Sequence, residues 1–370
     1  MRVLVVNTGS TSLKLTVLDG DDTTLGRWEL GPIAEEATRQ VLTDVLRDDG
    51  GPRFDAVGHR IVHGGDVFDQ PVVIDDTAFE ALTGLGHLAP LHNPPALQAL
   101  AAVREARPEV PAVACFDTAF HATLPAPART WAVPWRWTTE WGLRRYGFHG
   151  LSHQRAASRA AQLLGRSLDG LRLVTCHLGG GSSLAAVAGG RSVDTTMGYT
   201  PLDGLVMGTR SGSVDPSVVI EAQRRGGLDA DEVERQLNED AGLAGLSGVS
   251  HDLRDVFAAA AADDERAALA LDVYHHRLRA GIAAMAAAMG GLDALVFSGE
   301  AGAGWPPTRA ATVHGLGFLG AHLDDDANVR VESSDAIISP ADSPVAVLVV
   351  APQEDLTIAA ETRRALDQDH

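Results

Sequence analysis

Two short apolar runs separated by a Gly/Ser/Thr turn open the chain, and the same pattern returns near residue 170. Residues 3–6 and 13–18 flank the first turn, and residues 171–176 and 184–187 flank the second. Apolar runs of this length joined by a glycine-rich turn are typical of β-hairpins. The hydrophobic pattern therefore predicts one hairpin at the start of each half of the chain.

Short sequence similarities between the two halves indicate a duplication. Gly9-Ser10-Thr11-Ser12-Leu13, set over Gly180-Gly181-Ser182-Ser183-Leu184, matches glycine, serine and leucine. Asp55-Ala56-Val57-Gly58 resembles Asp293-Ala294-Leu295-Val296, and each precedes a glycine-rich turn. We predict two α/β domains, each opening with a hairpin whose turn faces a shared cleft.

Helical spacing of alanine and leucine predicts helices over 153–164, 255–262 and 264–289. The nearly all-apolar run at 344–350 predicts a central strand followed by a final helix. Four tryptophans in the proline-containing stretch 131–141 indicate a packed loop or an interface. The acidic stretch 322–335 is predicted to be an exposed turn.

Length and composition narrow the class of protein. A chain of 370 residues with 45% hydrophobic content favours two domains over one. The net charge of −19, without a basic stripe, argues against nucleic-acid binding. Cys115 and Cys176 lie in apolar runs, so we expect buried free thiols in a reducing compartment. The chain shows neither a signal peptide nor an apolar segment of membrane-spanning length, so we expect a cytoplasmic protein that binds no membrane.

Positive charge comes from 29 arginines and a single lysine, Lys14, which closes the first Gly/Ser/Thr turn. A lysine ammonium is a compact point charge on a flexible stem, unlike the planar arginine fork. Glycines in such a turn let backbone N–H groups approach an anion, and the hydroxyls add donors. The turn is a candidate phosphate contact. The alternative is that the composition of the chain favours arginine and that its one remaining lysine lies here by chance.

Two motifs suggest binding of small anions. Arg60 lies in Gly58-His59-Arg60-Ile61-Val62-His63-Gly64-Gly65, where an arginine at a strand end suits bidentate capture of a carboxylate or phosphate. An ordinary surface arginine is the alternative. Asp117 follows an apolar strand, at the carboxyl end where open α/β sheets bind ligands. Its carboxylate is compatible with a base, a metal ligand or a helix N-cap.

Two further motifs carry titratable or cationic groups. His149 and His153 are four residues apart, a spacing that can share a metal, but the sequence offers no third ligand nearby. Donation from His149 to a transferring phosphoryl group is the alternative. Arg210 lies in the glycine-rich loop 200–212, where it could neutralise charge in a transition state.

Taken together, these motifs resemble the acetokinase family of acetate, propionate and butyrate kinases over nearly the whole chain. The matching segments occur in family order at residues 6–14, 58–65, 89–96, 116–121, 146–150 and 200–212. Members of this family move the terminal phosphoryl group between ATP and a small carboxylate with Mg2+. The family belongs to the sugar-kinase, heat-shock-protein and actin superfamily. The resemblance thus implies a duplicated, actin-like α/β fold of two domains with a central cleft.

The resemblance also implies an activity and an assembly. We expect reversible, direct in-line transfer from ATP to acetate, giving acetyl phosphate and ADP, by a homodimer. The implied acid-binding domain comprises residues 1–149 with 356–370, and the implied nucleotide-binding domain comprises residues 150–355.

Residue roles follow from the resemblance, position by position. Asn7 and Glu354 are the implied ligands of Mg2+ or Mn2+, and Lys14 is an implied contact of the nucleotide phosphates. Arg60 is the implied carboxylate-binding residue, and the implied catalytic residues are Asp117, His149 and Arg210. The implied pocket for the methyl group of the acid is formed by Val62, Leu91, Phe148 and Pro201. The implied nucleotide-binding residues are His177, Leu178, Gly179, Gly180, Gly181, Asp252, Leu253, Arg254, Glu300, Ala301, Gly302, Ala303 and Gly304.

These roles agree with the chemistry of phosphoryl transfer, in which catalysis is mostly positioning and electrostatic stabilisation. We expect Arg60 to fix the attacking carboxylate while Arg210, His149 and the metal hold the transferring group. A carboxylate nucleophile needs no general base. Asp117 is therefore expected to organise the metal and the arginines rather than to remove a proton.

The sequence departs from the family pattern on the nucleotide side. The family's His-Leu-Gly-Asn-Gly turn has Gly180 in place of asparagine, and Leu253 replaces the usual phenylalanine. The family's Ala-Gly-Ile-Gly-Glu-Asn turn loses both Glu and Asn within residues 299–304. Residues 352–356 differ from the usual Thr-Asn-Glu-Glu-Leu, so the acidic residue that binds the metal is less sharply defined.

We expect retained chemistry on a small carboxylate with altered nucleotide affinity or base preference. The alternatives are another donor such as pyrophosphate, another acid such as propionate, or a non-catalytic paralogue.

Overall fold

The computed structural model describes residues 1–9, 12–34, 36–46, 52–90 and 92–368, and the chain divides into two compact units. The first unit comprises Met1–Ala122, Phe148–Arg155 and Gln353–His370, and the second comprises Thr123–Gly147 and Ala156–Pro352. The predicted division into an acid-binding and a nucleotide-binding domain stays a prediction.

Each unit contains a six-stranded mixed sheet. The strands of the first unit are β1 (Val3–Thr8), β2 (Leu13–Leu18), β3 (Thr24–Leu30), β4 (Ala56–Ile61), β5 (Val72–Val73) and β6 (Ala112–Phe116). The strands of the second unit are β7 (Arg172–Leu178), β8 (Ser182–Ala188), β9 (Arg191–Thr195), β10 (Ala294–Ser298), β11 (Ala336–Ile337) and β12 (Ala346–Val349). The two predicted hairpins are therefore confirmed as β1–β2 and β7–β8.

The two sheets repeat one topology. Their strand orders are β3-β2-β1-β4-β6-β5 and β9-β8-β7-β10-β12-β11. In each sheet the hairpin is antiparallel, the next two central pairings are parallel, and the short edge strand is antiparallel. Repetition of order and direction at every position confirms the predicted duplicated α/β fold.

The similarity around Asp55 and Asp293 has a structural basis at the start of the first crossover strand of each unit. The Asp55 carboxylate accepts the Arg2 backbone N–H at 2.7 Å, and the Asp293 carboxylate accepts that of Arg172 at 2.9 Å. In return, the backbone N–H of each aspartate donates to the carbonyl of the same arginine. These paired hydrogen bonds fix the register between the hairpin and the crossover strand.

The similarity between the two hairpin turns is offset by two residues from the structural correspondence. Leu18 pairs with Val3, and Val187 pairs with Leu173 at the equivalent place in the second sheet. Counting back along the strands therefore sets Leu184 against residue 15, whereas the sequence alignment set it against residue 13. Side chains in a strand alternate faces with a period of two. A shift of two residues therefore leaves the same residues buried, and the hydrophobic pattern alone cannot distinguish the two alignments.

Both faces of the first sheet are covered, as its apolar parallel strands require. Leu4 and Val6 pack in a cluster with Ala99 and Val103, while Val3 and Val5 pack on the opposite face with a cluster that includes Ile358. The second sheet is built the same way, and every residue of β10 is buried. The inner strands therefore have no solvated face.

The helices of the first unit are α1 (Glu36–Leu46), α2 (Asp76–Gly84), α3 (Asn93–Ala106) and α15 (Glu354–Gln368), and α6 (Gly150–Leu164) begins in this unit. The other helices are α4 (Ala126–Arg129), α5 (Trp135–Trp141), α7 (Pro216–Gly226), α8 (Ala230–Glu239), α9 (Gly242–Ser247), α10 (Leu253–Ala261), α11 (Glu265–Ala288), α12 (Gly299–Gly304), α13 (Pro306–Val313) and α14 (Asp325–Arg330). The predicted helices are confirmed as α6, α10, α11 and α15, and the predicted apolar strand as β12.

Two local predictions need correction. The tryptophan-rich stretch contains helix α5 rather than a packed loop, and Trp135 and Trp141 are 69% and 55% exposed, while the alternative of an interface stays a prediction. The acidic stretch contains helix α14, because Asp324 caps its first turn and Asn328 is buried beneath it. Acidic residues at the start of a helix stabilise the helix. A run of acidic residues is therefore compatible with a helix N-terminus as well as with an exposed turn.

Cys115 and Cys176 are free and buried, as expected from their apolar runs. Within the described residues, the helices include none whose length and apolar character would suit a membrane span.

Candidate active site

Arg60 is the centre of a polar cluster in the first unit. Its Nε and Nη2 atoms donate to the two carboxylate oxygens of Asp117 at 3.0 and 2.7 Å. This is the bidentate geometry in which an arginine–carboxylate pair is strongest and most directional. The two side chains are 16% and 2% exposed, so the pair is largely removed from water.

Asn7 and Glu354 complete this cluster on the remaining edge of the guanidinium. Arg60 Nη1 donates to Asn7 Oδ1 at 3.2 Å and lies 3.8 Å from a Glu354 carboxylate oxygen. The Asn7 amide N–H donates to the same Glu354 oxygen at 3.4 Å. The residues that the sequence placed at the metal and at the carboxylate are therefore direct neighbours within one unit.

The charges in this cluster determine the pKa of Arg60. Burial by itself lowers the pKa of a guanidinium, but the carboxylates of Asp117 and Glu354 outweigh it, and the net effect raises the pKa of Arg60. The side chain is thus a fixed cation. Removing either carboxylate would leave a buried charge with less compensation, which is costly.

The scaffold brings these four residues together at the carboxyl edge of the first sheet. Asn7 lies near the end of β1, Arg60 near the end of β4, and Asp117 directly follows β6. Glu354 begins α15, which packs closely on β4 because Gly58 has no side chain. A Cβ atom at Gly58 would lie 2.3 Å from the Thr362 hydroxyl.

His149 is held in a backbone conformation that is uncommon for a residue with a side chain. Its φ is +57°, in the left-handed region, just before α6 begins. The next residue, Gly150, donates its N–H to the Asp117 carbonyl at 2.9 Å, and a Cβ atom there would lie 2.1 Å from that oxygen. The close approach fixes His149 relative to Asp117. Non-glycine residues in this region are concentrated at functional sites.

Two of the predicted pocket residues are buried apolar residues of the first unit. Val62 directly follows the last residue of β4, two residues after Arg60, and it is buried. Phe148 is also buried, with the His63 ring 5.4 Å away and its carbonyl 3.0 Å from His121 Nε2. The third predicted pocket residue, Leu91, lies outside the described residues, as do Ser10 and Thr11 of the first turn.

Lys14 lies next to Asn7 but is engaged elsewhere. The two residues are cross-strand partners in the β1–β2 hairpin. Lys14 Nζ lies 3.1 Å from a Glu29 carboxylate oxygen on β3, and the lysine side chain is 41% exposed. The predicted contact between Lys14 and a nucleotide phosphate stays a prediction, and it requires the lysine to leave a solvent-screened ion pair of small energy.

The second unit holds a cavity of about 530 Å³. It is lined by eight of the predicted nucleotide-binding residues: Gly179, Gly180, Asp252, Leu253, Arg254, Glu300, Ala301 and Gly304. The other five, His177, Leu178, Gly181, Gly302 and Ala303, do not line it. A cavity of this size is in the range of small-molecule binding sites.

Six lining residues were not assigned to the nucleotide from the sequence. They are Gly208, Leu243, His251, Tyr274, Trp305 and Ser333. Trp305 directly follows the predicted nucleotide-binding turn 300–304, and His251 directly precedes the predicted residue Asp252. Both could therefore have been found from their position next to a predicted residue. Tyr274 comes from the middle of α11, and nothing in its local sequence marks it as a ligand contact.

Close backbone contacts shape one end of this cavity. Gly299 has φ of +76°, and a Cβ atom there would lie 2.5 Å from the Leu178 carbonyl. This approach brings the start of α12 beside the second hairpin turn, where a Cβ atom at Gly179 would be 3.9 Å from the Glu300 nitrogen. Glycine turns with accessible backbone N–H groups are suited to anions.

Asp252 and Arg254 form a self-contained pair at the cavity. Asp252 caps α10 and accepts from the Arg254 backbone N–H at 2.8 Å, while the Arg254 guanidinium donates to both carboxylate oxygens. The side-chain hydrogen bond to Arg254 lowers the pKa of Asp252. Arg254 is 62% exposed, so its charge remains accessible to a ligand.

Arg210 is a cation with carbonyl and sulfur partners. Its Nη1 atom lies 3.1 Å from the Pro201 carbonyl and 3.6 Å from Met207 Sδ. Burial lowers the pKa of Arg210, yet an arginine stays protonated at neutral pH. Among the described residues, no carboxylate lies within salt-bridge distance of it, which leaves its charge available for an anion. Pro201, the fourth predicted pocket residue, belongs to this unit and contacts Arg210.

The first-unit cluster also suits a hard divalent cation. Asn7, Asp117 and Glu354 offer amide and carboxylate oxygens, which are ligands that Mg2+ prefers, and Mg2+ often takes only one or two protein carboxylates with substrate phosphates. In the part of the chain that the structure describes, no group of three or more His, Cys, Asp or Glu residues could hold a metal by itself. The donor set therefore fits a cation shared with a phosphate ligand better than a self-sufficient metal site.

Comparison with known proteins gives a consistent result. The family model of the acetokinase family matches residues 34–360. The acetate kinase of Clavibacter michiganensis is 45% identical, over 98% of both chains. The crystal structure of Porphyromonas gingivalis acetate kinase superposes with a TM-score of 0.91 at 35% identity, covering 99% of both chains. A propionate kinase from Francisella tularensis superposes with a TM-score of 0.89 at 33% identity, covering 98% of this chain and 99% of that one.

Proposed function

Because the chain belongs to the acetokinase family, we propose that it transfers the terminal phosphoryl group of ATP to acetate, giving acetyl phosphate and ADP. The observation that carries this proposal is the Arg60–Asp117 pair at the carboxyl edge of the first sheet. It supplies a fixed cation, and the same unit contains the buried apolar side chains Val62 and Phe148, which we propose as walls of the acid pocket. A cation next to an apolar surface matches a short-chain carboxylate, which has a charged head and an alkyl tail.

The proposed reaction needs no proton transfer to start. A carboxylate oxygen of acetate forms a bond to the γ-phosphorus, and the bond from that phosphorus to the leaving oxygen of ADP breaks. Arg60 orients the acetate, and Asp117 holds the guanidinium in the required orientation through two hydrogen bonds. Orientation of this kind can supply several kcal/mol of a barrier.

We assign stabilisation of the transferring group to Arg210 and His149. Arg210 has no competing carboxylate among the described residues, and its partial burial strengthens its field. His149 is held rigidly by its left-handed backbone and by the contact between Gly150 and Asp117. Nucleotide binding is assigned to the second-unit cavity, and acid binding to the first unit.

The family generally works with a divalent cation, and we propose Mg2+ at Asn7 and Glu354, with Asp117 nearby. When bound, the ion would neutralise charge on the polyphosphate. We also propose a cytoplasmic homodimer, by analogy with the family, and light scattering of the purified chain tests the dimer.

A donor and acid panel tests the proposed function. Hydroxylamine traps acetyl phosphate as a hydroxamate, so initial rates can be compared for ATP, GTP and pyrophosphate, each with acetate or propionate. We expect the highest kcat/KM with ATP or GTP and acetate, dependent on added Mg2+. A rate with pyrophosphate alone would refute the nucleotide assignment. No hydroxamate with any donor, at high enzyme concentration, would favour a non-catalytic paralogue.

A further inference from the structure

Arg145 is a largely buried arginine of the second unit, and the proposed reaction assigns it no role. Its side chain is 15% exposed. Its Nη1 atom donates to the carbonyls of Thr195, Thr196 and Met197 at 2.7, 2.8 and 3.1 Å, where β9 ends. Burial lowers the pKa of Arg145, yet an arginine stays protonated at neutral pH. Hydrogen bonds from a charged donor are stronger than those from a neutral one, so this side chain fixes the backbone of the segment.

Arg145 is itself held in place by its neighbours. Its backbone N–H donates to the Arg129 carbonyl at 2.8 Å, and its guanidinium lies over the Trp131 ring, 4.4 Å from a ring centroid. A cation in this position is attracted to the face of the ring. Packing here is close, since a Cβ atom at Gly198 would lie 2.9 Å from the Trp131 ring and 2.6 Å from the Asp203 carboxylate.

Asp203 links Arg145 to the loop of residues 204–213, which carries the proposed catalytic arginine. One Asp203 carboxylate oxygen lies 3.7 Å from Arg145 Nη1. The other oxygen accepts from the Gly204 backbone N–H at 2.9 Å and from the Ser213 hydroxyl at 2.5 Å. The Ser213 backbone N–H donates to the Gly204 carbonyl at 3.0 Å. Asp203 therefore joins the two ends of the 204–213 loop.

The base of the 204–213 loop packs on backbone that Arg145 holds. Gly204 has φ of +105°, and a Cβ atom there would lie 2.8 Å from the Thr196 carbonyl, which accepts from Arg145. At the other end, Gly212 has φ of +69°, and a Cβ atom there would lie 2.3 Å from the Leu205 carbonyl. Only glycine suits such positions without strain. The loop can thus move little without moving the backbone bound to Arg145.

The guanidinium of Arg210 depends on the same backbone. Arg210 Nη1 donates to the Pro201 carbonyl at 3.1 Å. Pro201 lies between residues 195–197 and Asp203, both of which contact Arg145. Displacement of this segment would therefore move the acceptor that orients Arg210.

We propose that Arg145 is a positioning residue, which acts through Asp203 and the Pro201 carbonyl to set the guanidinium of Arg210 for the transferring phosphoryl group. This inference rests on the proposed function and deepens it. Stabilisation of a transition state requires donors that are already in place. A misplacement of about 1 Å can cost about a hundredfold in rate. Loss of Arg145 is therefore expected to lower kcat without weakening the binding of MgADP.

The test compares Arg145→Gln with a matched control, Arg172→Gln. Arg172 is another arginine of the second unit that donates both to an aspartate, Asp293, and to a carbonyl, that of Gly290. It begins β7, so it lies at the opposite end of that strand from the hairpin turn. Arg145→Gln should lower kcat about 10- to 100-fold while the Kd for MgADP, measured by calorimetric titration, stays unchanged. Arg172→Gln should change neither quantity.

A double substitution separates positioning from a general structural role. If Arg145 acts through Arg210, then Arg145→Gln should not lower kcat further in an Arg210→Ala variant, because no guanidinium remains to be positioned. Hydroxamate formation measures kcat, and thermal unfolding shows that each variant is folded. Arg145→Lys keeps a cation that can donate to carbonyls, so it should lose less activity than Arg145→Gln. An equal fall in kcat with and without Arg210 would overturn the inference.

Ser213→Ala provides a milder variant that keeps the test valid if Arg145→Gln does not fold. It removes one hydroxyl donor from Asp203 and leaves the Gly204 N–H, so kcat should fall about 2- to 10-fold, as for the loss of one hydrogen bond.

Normal kcat in a folded Arg145→Gln variant would overturn the inference, and if that variant does not fold, normal kcat in Ser213→Ala would do so. A loss of MgADP affinity as large as the loss of kcat would also overturn it. Failure of the proposed function is a separate result: the unmodified chain would form no acetyl phosphate with any donor, whatever the behaviour of the variants.

Discussion

The two units share one sheet topology but differ in the residues that end equivalent strands. By strand register, Arg60 on β4 corresponds to Ser298 on β10, and Asn7 on β1 corresponds to His177 on β7. The position of Asp117 after β6 corresponds to Pro352 after β12. The first unit thus places an arginine, an aspartate and an asparagine at its carboxyl edge, whereas the second unit has a serine, a proline and a histidine at the equivalent positions.

This difference shows how one scaffold carries two kinds of binding site. In the first unit, long charged side chains fill the edge and form a compact ionic cluster. In the second, glycines and a short helix leave a cavity of about 530 Å³. A small acid needs a fixed charge close to an apolar surface, and a nucleotide needs room and backbone donors. We propose that the residues at the strand ends, rather than the fold, decide which of the two a unit binds.

The largest expected effect comes from removing Arg210, a largely buried cation of the second unit with no carboxylate within salt-bridge distance among the described residues. Arg210→Ala should lower kcat by about a thousandfold or more, the size found when an arginine stabilises a phosphoryl-transfer transition state. Arg225→Ala, at a side chain that is 82% exposed, is the control and should leave kcat unchanged. Steady-state kinetics and thermal unfolding of both variants check this. Near-normal turnover in a folded Arg210→Ala variant would remove Arg210 from the mechanism.

The next effect tests whether the ionic cluster of the first unit positions the acid. Asp117→Asn keeps the shape of the side chain but removes the charge that orients Arg60, so kcat/KM for acetate should fall about a hundredfold. Asp76→Asn, at a carboxylate that is 93% exposed and paired with Arg104, is the matched control. A loss in the affinity for MgADP, rather than in the use of acetate, would contradict the assignment of acid binding to the first unit.

A smaller effect is expected where the backbone alone shapes the first-unit site. Gly150→Ala would place a methyl group against the Asp117 carbonyl, and overpacking of this kind costs about 1–3 kcal/mol. We expect a lower melting temperature together with reduced kcat, because His149 would move relative to Asp117. Gly84→Ala, with open space around the new methyl group, should not lower the melting temperature. Equal behaviour of the two variants would argue against the close approach.

The last effect, which is small for any single pH unit, separates the two units by their response to acid. Burial lowers the pKa of His59 to about 3, and the equivalent strand position in the second unit is Phe297. His59 stays neutral in the folded chain while the unfolded chain takes up a proton below about pH 6.5, so its stabilising contribution is present above that pH. The free energy of unfolding should fall by about 1.4 kcal/mol per pH unit between about pH 6.5 and 3.

Urea unfolding at several pH values measures this slope, and His59→Phe should reduce it. The variant removes the titrating group and places in the first unit the residue type found in the second. A slope that is the same in the variant and the original chain would show that His59 is not the group responsible.

The hairpins, the duplication and the strand-end positions of Arg60 and Asp117 could be predicted from the sequence because each leaves a local pattern. Apolar runs around glycine turns marked β1, β2, β7 and β8. The third strand of each sheet was missed, because β3 lies at an edge with a largely exposed pattern. Lys14 was therefore predicted without its partner Glu29, which lies on that strand.

Contacts that the fold makes between distant segments could not be predicted. The hydrogen bond between Asn7 and Glu354 joins residues that are 347 positions apart. Tyr274 reaches the second-unit cavity from the middle of α11, where its spacing is that of an ordinary core residue. The two-residue offset between the hairpin turns could not be predicted for another reason. A shift by two residues keeps the same side chains on the buried face of a strand, so the hydrophobic pattern does not reveal it.

The central claim is that the acid bound at Arg60 attacks the terminal phosphorus of a nucleotide. The most direct test follows the ¹⁸O of labelled acetate into the product. The purified chain is incubated with labelled acetate, ATP and Mg2+, and the product is followed by ³¹P nuclear magnetic resonance. The account predicts acetyl phosphate with ¹⁸O in the bridge between carbon and phosphorus, formed in step with ADP. Acetyl phosphate with an unlabelled bridge, or no acetyl phosphate while pyrophosphate supports its formation, would contradict it.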